Sequence, residues 1–442
     1  MPSQPNVLLV TIDSLRADHV YGDEVPTPAH DSLAEDGTVY DRAFAQGPFT
    51  TFSMPSLFTS RYPSGLQYME FSEKTVGVYI EDEPTIPTVL REAGYDTAGF
   101  HSNPLLSHLF GFDRGFDTFD AKLPLTNTEF VPGRAKILAD KLLRLFRKHA
   151  YLPAGKLTDR ALRWIDERDD EDPFFLWVHY MDVHGPYQAK QGSTYLNKYR
   201  GERLWRKCFD GSEALTPEEH DRLLELYRTE VEYTDAQVGR LLDGLRDRGL
   251  YAGTTTVATA DHGEQFGEYG SYSHPHQLYD VLTRVPLIVR RPEDQASRVT
   301  DLVELLDIAP TLAREAGVSA PSSFSGSQLP EIGGDTAEDA ERTAISEADL
   351  VPAYRGSLRT PEWRYVRDEV GGTERLLDMA DPPGDRSDVA AENGAVVERL
   401  RGALDDHLRD AGRDAGGDVR QRGEEIDDGD VEDRLKTLGY LE

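Results

Sequence analysis

Three stretches of the chain carry apolar or β-branched residues without a break over the length of a strand. They are Asn6-Val7-Leu8-Leu9-Val10-Thr11-Ile12, Phe174-Phe175-Leu176-Trp177-Val178-His179-Tyr180 and Thr254-Thr255-Thr256-Val257-Ala258-Thr259-Ala260. Runs without polar alternation mark strands buried on both faces of a parallel sheet. Each stops at polar chemistry: the first at Asp13-Ser14, the second at Asp182 and His184, the third at Asp261-His262. Open α/β sheets place their ligand sites beyond such C-terminal ends. Between the strands the spacing changes to that of helices. Leu223 to Leu245 repeats apolar residues at helical intervals and is closed by Gly249, and Thr85 to Gly94 opens with Pro87 in its first turn and ends on glycine. The alternation predicts an α/β fold, a doubly wound and mostly parallel sheet. From about Ile345 the pattern shifts to two short hairpin strands, Trp363 to Arg367 and Glu374 to Asp378, separated by Gly371-Gly372 and followed by a helix from Val396 to Leu408. The predicted organisation is a main α/β domain over 1–344, a small C-terminal α+β subdomain over 345–410, and a charged linker and tail over 411–442.

Composition narrows what such a fold can bind. Of 442 residues, 38% are hydrophobic, which is enough to build a core and excludes wholesale disorder. Acidic residues number 80 against 48 basic ones, a formal charge of −32. A field of that sign repels DNA, RNA and anionic membranes, so no nucleic-acid partner is expected. Lysine is scarce, 10 against 38 arginines. An acidic, lysine-poor surface points to a protein kept soluble at high salt, and a halophilic source is expected. The one cysteine, Cys208, excludes a disulfide framework and a thiolate metal cluster. The N-terminus runs into a strand without a basic and apolar leader, and no stretch of 18 apolar residues occurs. A cytoplasmic protein with no integral membrane segment is expected. One local exception to the charge is Arg134 to Lys148, with six cations, one acid and an apolar helical face. It reads either as a helix packed on the domain or as a cationic lid for an anionic substrate.

Asp13, Thr50, Asp261 and His262 form the sharpest chemical set. Two carboxylates, an imidazole and a hydroxyl suit a divalent cation. A metal beside a hydroxyl lowers its pKa and makes a nucleophile near neutral pH. Asp-His-Gly alone would be explained by a turn with an exposed histidine. Here it follows a buried strand and is joined by His274, 12 residues downstream of His262.

These residues resemble the sulfatase family of the alkaline phosphatase superfamily, from about Asn6 to Leu408. The likeness is carried, in order, by Asn6 to Arg16, Thr27 to Gly37, Thr50 to Pro63 with its Leu57-Phe58-Thr59-Ser60-Arg61-Tyr62-Pro63, and Gly94 to Thr97. It continues through Asp182-Val183-His184-Gly185-Pro186-Tyr187, Asp261-His262-Gly263-Glu264, Asp307 to Thr311, Leu377-Asp378 and the closing Leu435 to Tyr440. The resemblance implies an alkaline phosphatase-like fold and a hydrolase of sulfate or phosphate esters. It also implies a divalent metal, Zn, Mn, Ca or Mg, with provision for a second. Departures from the family refine this. Sulfatases that cleave sulfate esters place Cys or Ser in a Cys/Ser-x-Pro-Ser-Arg motif and oxidise it to formylglycine. Here the position is Thr50, whose secondary alcohol cannot become an aldehyde, and Phe52 and Met54 occupy the motif's Pro and Arg positions. Ser14 stands at the usual second aspartate, and Ser102 at a usual lysine. The set is similar to relatives with a threonine nucleophile, such as phosphoethanolamine transferases and lipoteichoic acid synthases. The implied roles are Asp13, Thr50, Asp261 and His262 on the metal, Thr50 as nucleophile, His184 and His274 as catalytic imidazoles, and Asn103 and Ser53 at the substrate. Small-molecule, glycan or lipid esters are the implied substrates. A transferase with a glycan or lipid acceptor, and a silent sulfatase-like binding protein, remain as alternatives.

Overall fold

Val7, Leu8, Leu9 and Val10 are wholly buried, and the strand they belong to, Asn6–Ile12, lies in the middle of a nine-stranded sheet. A computed structural model describes residues 4–72, 75–80, 82–121, 151–168, 172–187, 201, 203–208, 214–292, 294–330, 342–348, 354–380 and 387–411. From one edge the strands run Ser297–Glu304, Thr38–Phe44, the pair Arg284–Val285 and Leu287–Arg290, then Thr254–Ala260, Asn6–Ile12, Phe174–Tyr180, Asp96–Phe100 and Thr118–Asp120. Neighbours are parallel except at Arg284–Val285 and Leu287–Arg290, which run antiparallel to their partners. The segment 284–290 is thus a broken strand, divided at Pro286, which has no N–H to give a ladder.

The three apolar runs are neighbours, as buried parallel strands must be. Their register sets Ile12 opposite both Ala260 and Tyr180. Asp13 and Asp261 therefore leave adjacent strands at the same level, a strand spacing of about 4.8 Å apart.

Helices cover the sheet. Pro217–Asp247 packs on Ala154–Glu167 and Pro28–Asp36, while Ile308–Glu315 packs on Thr50–Thr59 and Ile86–Glu92. The helix read from Leu223 begins earlier, at Pro217, because Thr216 and Glu219 form a capping box ahead of the first apolar residue. The C-terminal region holds a four-stranded antiparallel sheet, Ala344–Ala348, Arg355–Arg359, Trp363–Asp368 and Thr373–Asp378, against which helix Gly394–Asp410 packs. Its last two strands and helix were legible. Its first two were not, because Arg355 and Arg359 are buried beside acidic partners and erase the expected alternation. The sheet is tied to the main body where Ser346 Oγ donates to Ala45 O at 2.7 Å and Glu347 N to Gln46 O at 2.7 Å. The cationic stretch Arg134 to Lys148 and the tail 412–442 lie outside the described residues.

Candidate active site and metal centre

Thr50 is the first residue of helix Thr50–Thr59, and the extended Phe49 precedes it. Its hydroxyl sits beside the first free N–H groups of a helix, an environment that favours negative charge. Thr50 Oγ1 donates to Asp261 Oδ2 at 2.8 Å and lies 3.3 Å from Asp13 Oδ2 and 3.5 Å from His262 Nε2. The four residues read from the sequence as one set thus converge, from two strand ends and a helix start.

The local backbone explains how. Ser14, next to Asp13, takes a left-handed φ of 60°, and its N–H turns onto Asp261 Oδ1 at 3.1 Å. His262 N donates to the same oxygen at 2.8 Å. Asp261 Oδ1 is therefore satisfied by backbone, and Oδ2 is left for the cluster. Gly263 is required by close approach: a Cβ there would lie 2.0 Å from Val281 O. His262 Nδ1 faces Gly263 O at 2.8 Å, so the ring carries its hydrogen there and presents a bare Nε2. That nitrogen lies 3.7 Å from Asp13 Oδ1 and 3.6 Å from Asp261 Oδ2. Two carboxylates and a bare imidazole nitrogen, all fully buried, face one another with a hydroxyl as the one proton donor among them. A divalent cation fits such an acceptor-rich set. Burial, and then the charge of Asp13, push the Asp261 carboxyl well above its usual range. Burial would also raise Asp13, but His184, then His179 and His262, hold it well below. Of the two carboxylates, Asp261 is the one that takes up a proton when no cation compensates the charge.

Three imidazoles lie next to one another across the site, tilted rather than stacked, with ring centroids 4.7 Å apart for His262 and His274 and 5.1 Å for His184 and His274. Burial pulls His184 down, and burial followed by the neighbouring His274 lowers His262 to about 3. His274 goes the other way: burial opposes its charge, yet Glu264, 3.2 Å from Nδ1, raises it. Of the three rings, His274 is the one inclined to be cationic. Ser273, with φ at 69°, sets the entry of His274.

The other two predicted residues are placed differently. Asn103 Nδ2 donates to Asp13 Oδ2 at 3.1 Å and its Oδ1 accepts from Leu105 N, so both ends of the amide are committed to the protein. Ser53 donates to Phe49 O at 3.2 Å, within its own helix. His276 stacks on Phe49 at 4.6 Å. Two further side chains take part that the sequence alone does not place, Glu264 and His179. Glu264 holds His274 on one oxygen and accepts from Tyr187 Oη at 3.1 Å on the other. His179 lies 3.4 Å from Asp13 Oδ2, and with Asp13 and Asp261 it forms a buried group with metal-ligand spacing. Its signal is an imidazole inside an otherwise apolar strand.

Comparison with known proteins agrees with this geometry. The model of the Sulfatase family matches residues 5–318. Iduronate 2-sulfatase of Mus musculus is 28% identical over 72% of this chain and 69% of its own length. Choline-sulfatase of Rhizobium meliloti is 24% identical over 93% and 86%. Among solved structures, the phosphonate monoester hydrolase of Agrobacterium radiobacter superposes with a TM-score of 0.71 at 19% identity, covering 92% of this chain and 96% of that one. That of Silicibacter pomeroyi gives 0.71 at 22%, with the same coverage. With a matching model over more than half its length and the nine-stranded sheet delivering its acidic residues to one end, the chain belongs to the sulfatase family of ester hydrolases.

Proposed function

We propose that the protein is a metal-dependent hydrolase that cleaves sulfate or phosphate esters through a covalent ester on Thr50. The observation that carries this reading is the position of Thr50 Oγ1 at a helix start, 2.8 Å from one carboxylate and 3.3 Å from another. A divalent cation held by Asp13, Asp261, His262 and Thr50 would lower the hydroxyl's pKa and offset the charge of the substrate. The chain's own residues carry the steps. The Thr50 hydroxyl gives up its proton along the bond to Asp261 Oδ2, and Thr50 Oγ1 attacks phosphorus or sulfur in line. The bond to the leaving-group oxygen breaks, and His274 or His184 supplies that oxygen with a proton. Water then gives its proton to the same imidazole and attacks the Thr50 ester. Thr50 Oγ1 leaves, takes back a proton, and inorganic phosphate or sulfate departs.

Phosphate esters suit this site better than sulfate esters. Formylglycine releases sulfate through a hydrated aldehyde, and a threonine ester has no such exit. The acidity of the chain supports a further part of the reading, that the enzyme works at high salt in a cytoplasm. No helix among the described residues is long and apolar enough to cross a membrane. The test is a panel of p-nitrophenyl phosphate, bis-p-nitrophenyl phosphate and p-nitrophenyl sulfate at high salt, with added Zn²⁺ or Mn²⁺. Turnover of a phosphate ester that is lost in Thr50→Ala is expected. Equal turnover by the variant would remove Thr50 from the mechanism.

A further inference from the structure

Thr11 and His179 are register partners on adjacent strands, one residue short of the strand ends that carry the site. Both are fully buried, and so is Trp177, two residues before His179 and therefore on the same face of its strand. Trp177 Nε1 donates to Thr11 Oγ1 at 3.0 Å, and Thr11 Oγ1 lies 2.9 Å from His179 Nδ1. On the far side of the ring, His179 Nε2 faces Asp13 Oδ2 at 3.4 Å and has no hydrogen-bond partner among the described residues.

Hydrogen accounting gives this chain a direction. An indole N–H can only donate, so Thr11 Oγ1 accepts from Trp177 and keeps its own hydrogen to give. The acceptor beside it is His179 Nδ1. A neutral ring that accepts at Nδ1 carries its hydrogen on Nε2, which points at Asp13 Oδ2. The contact is long for a hydrogen bond, but the carboxylate is buried and carries charge, and such bonds are strong in a dry interior. Asn103 donates to the same oxygen from another loop. Asn103 thus holds Asp13 Oδ2 with His179 Nε2 facing the same oxygen, while Oδ1 is turned toward Ser14 Oγ at 3.1 Å and His262 Nε2.

We infer that His179 is a positioning residue, the last link of a Trp177–Thr11–His179 chain that orients the Asp13 carboxylate for the metal without ligating it. The contrasting arrangement puts the hydrogen on Nδ1 and turns a bare Nε2 to the cation, which would make His179 a ligand. That arrangement leaves the Thr11 hydroxyl hydrogen without the acceptor it has in the first.

The inference rests on the proposed metal at Asp13, and the experiment separates the two. Zn²⁺ or Co²⁺ is titrated into the full chain, its dissociation constant is measured, and X-ray absorption counts the imidazoles around the bound metal. One imidazole, that of His262, is expected in the wild type. His179→Leu is expected to weaken metal binding ten- to a hundredfold, the usual cost of losing an outer partner of a metal ligand. It should leave the imidazole count at one. His179→Gln, which restores an N–H near the position of Nε2, should recover most of the affinity. Two imidazoles in the wild type would make His179 a ligand and overturn the inference, a result that needs no variant to fold. Unchanged affinity in a folded His179→Leu would overturn it as well. Failure of the wild type to bind metal would instead remove the reading of the site on which it depends.

Discussion

Asp261 takes two backbone N–H groups on one oxygen and the Thr50 hydroxyl on the other. Asp261→Asn keeps the shape, removes the charge and turns an acceptor into a donor facing Thr50 or Ser14. Metal content and turnover are both expected to fall by about a hundredfold or more, a loss of roughly 3 kcal/mol at the transition state. Full metal occupancy in that variant, read by elemental analysis, would count against the site. Thr50 itself should be plain threonine in peptide mapping; an aldehyde at residue 50 would overturn the chemistry, and one at Ser53 would shift the register by three. At this scale the sequence was legible where a polar residue followed a buried run, as at Asp13, Asp261 and His184. It was silent where a functional side chain sat inside one, as at His179. The role of Glu264 is not legible from its motif, because its partners His274 and Tyr187 come from separate loops. Nothing in Ser102-Asn103-Pro104 shows that Asp13 lies within reach of the Asn103 amide.

At the scale of elements, the C-terminal sheet and helix act on the site from behind. Arg359 and Arg364 both reach Asp280, at 2.6 and 3.2 Å, and Asp280 opens the short helix that follows His274. Helix Gly394–Asp410 is latched through His407, whose Nε2 lies 2.9 Å from Glu347 Oε1 and whose ring meets Tyr62 edge-on. Glu347 also accepts from Tyr354 Oη and Ser64 N, and Tyr62 Oη donates to Glu304. Burial opposes the charge of His407, but Glu347, with Glu304 and Asp410 beyond it, raises it. Burial and then Asp307 push Glu304 to about 8. Burial acts to raise Glu347 too, yet His407 and Ser64 bring it below its usual value. The signs follow from linkage. The raised His407 and Glu304 give stability that is present at low pH and lost as pH climbs through their folded values. The lowered Glu347 gives stability that is lost only as pH falls below the carboxylate range. Docking is therefore tightest in mild acid and loosens toward about pH 8 and above. Amide exchange in 394–410, corrected for its intrinsic pH dependence, should speed up between pH 6 and 9. His407→Leu should flatten that dependence and cost roughly 1–3 kcal/mol, because Glu347 stays buried with one partner fewer. An unchanged exchange profile would remove the latch. The helix was legible from its spacing; the latch was not, since its carboxylates lie 60 and 103 residues away from His407 in sequence.

For the whole molecule, a charge of −32 means that like charges repel across the surface. Raising salt from about 0.1 M to about 1 M shortens the screening length from about 10 Å to about 3 Å. The melting temperature should rise over that range, and a fall would remove high salt as the working condition. The architecture was the most legible feature of all, because three uninterrupted apolar runs have few places to go except the centre of a parallel sheet. The antiparallel stretch on either side of Pro286 was the exception, since apolar content carries no sign of direction.

The central claim is a covalent ester on Thr50, and acid-quenched turnover of p-nitrophenyl phosphate by the metal-loaded protein tests it most directly. Peptide mapping of the quenched enzyme should find a phosphoryl group on Thr50 and none in Thr50→Ala. Steady turnover with the group on another residue, or undiminished in Thr50→Ala, would contradict it.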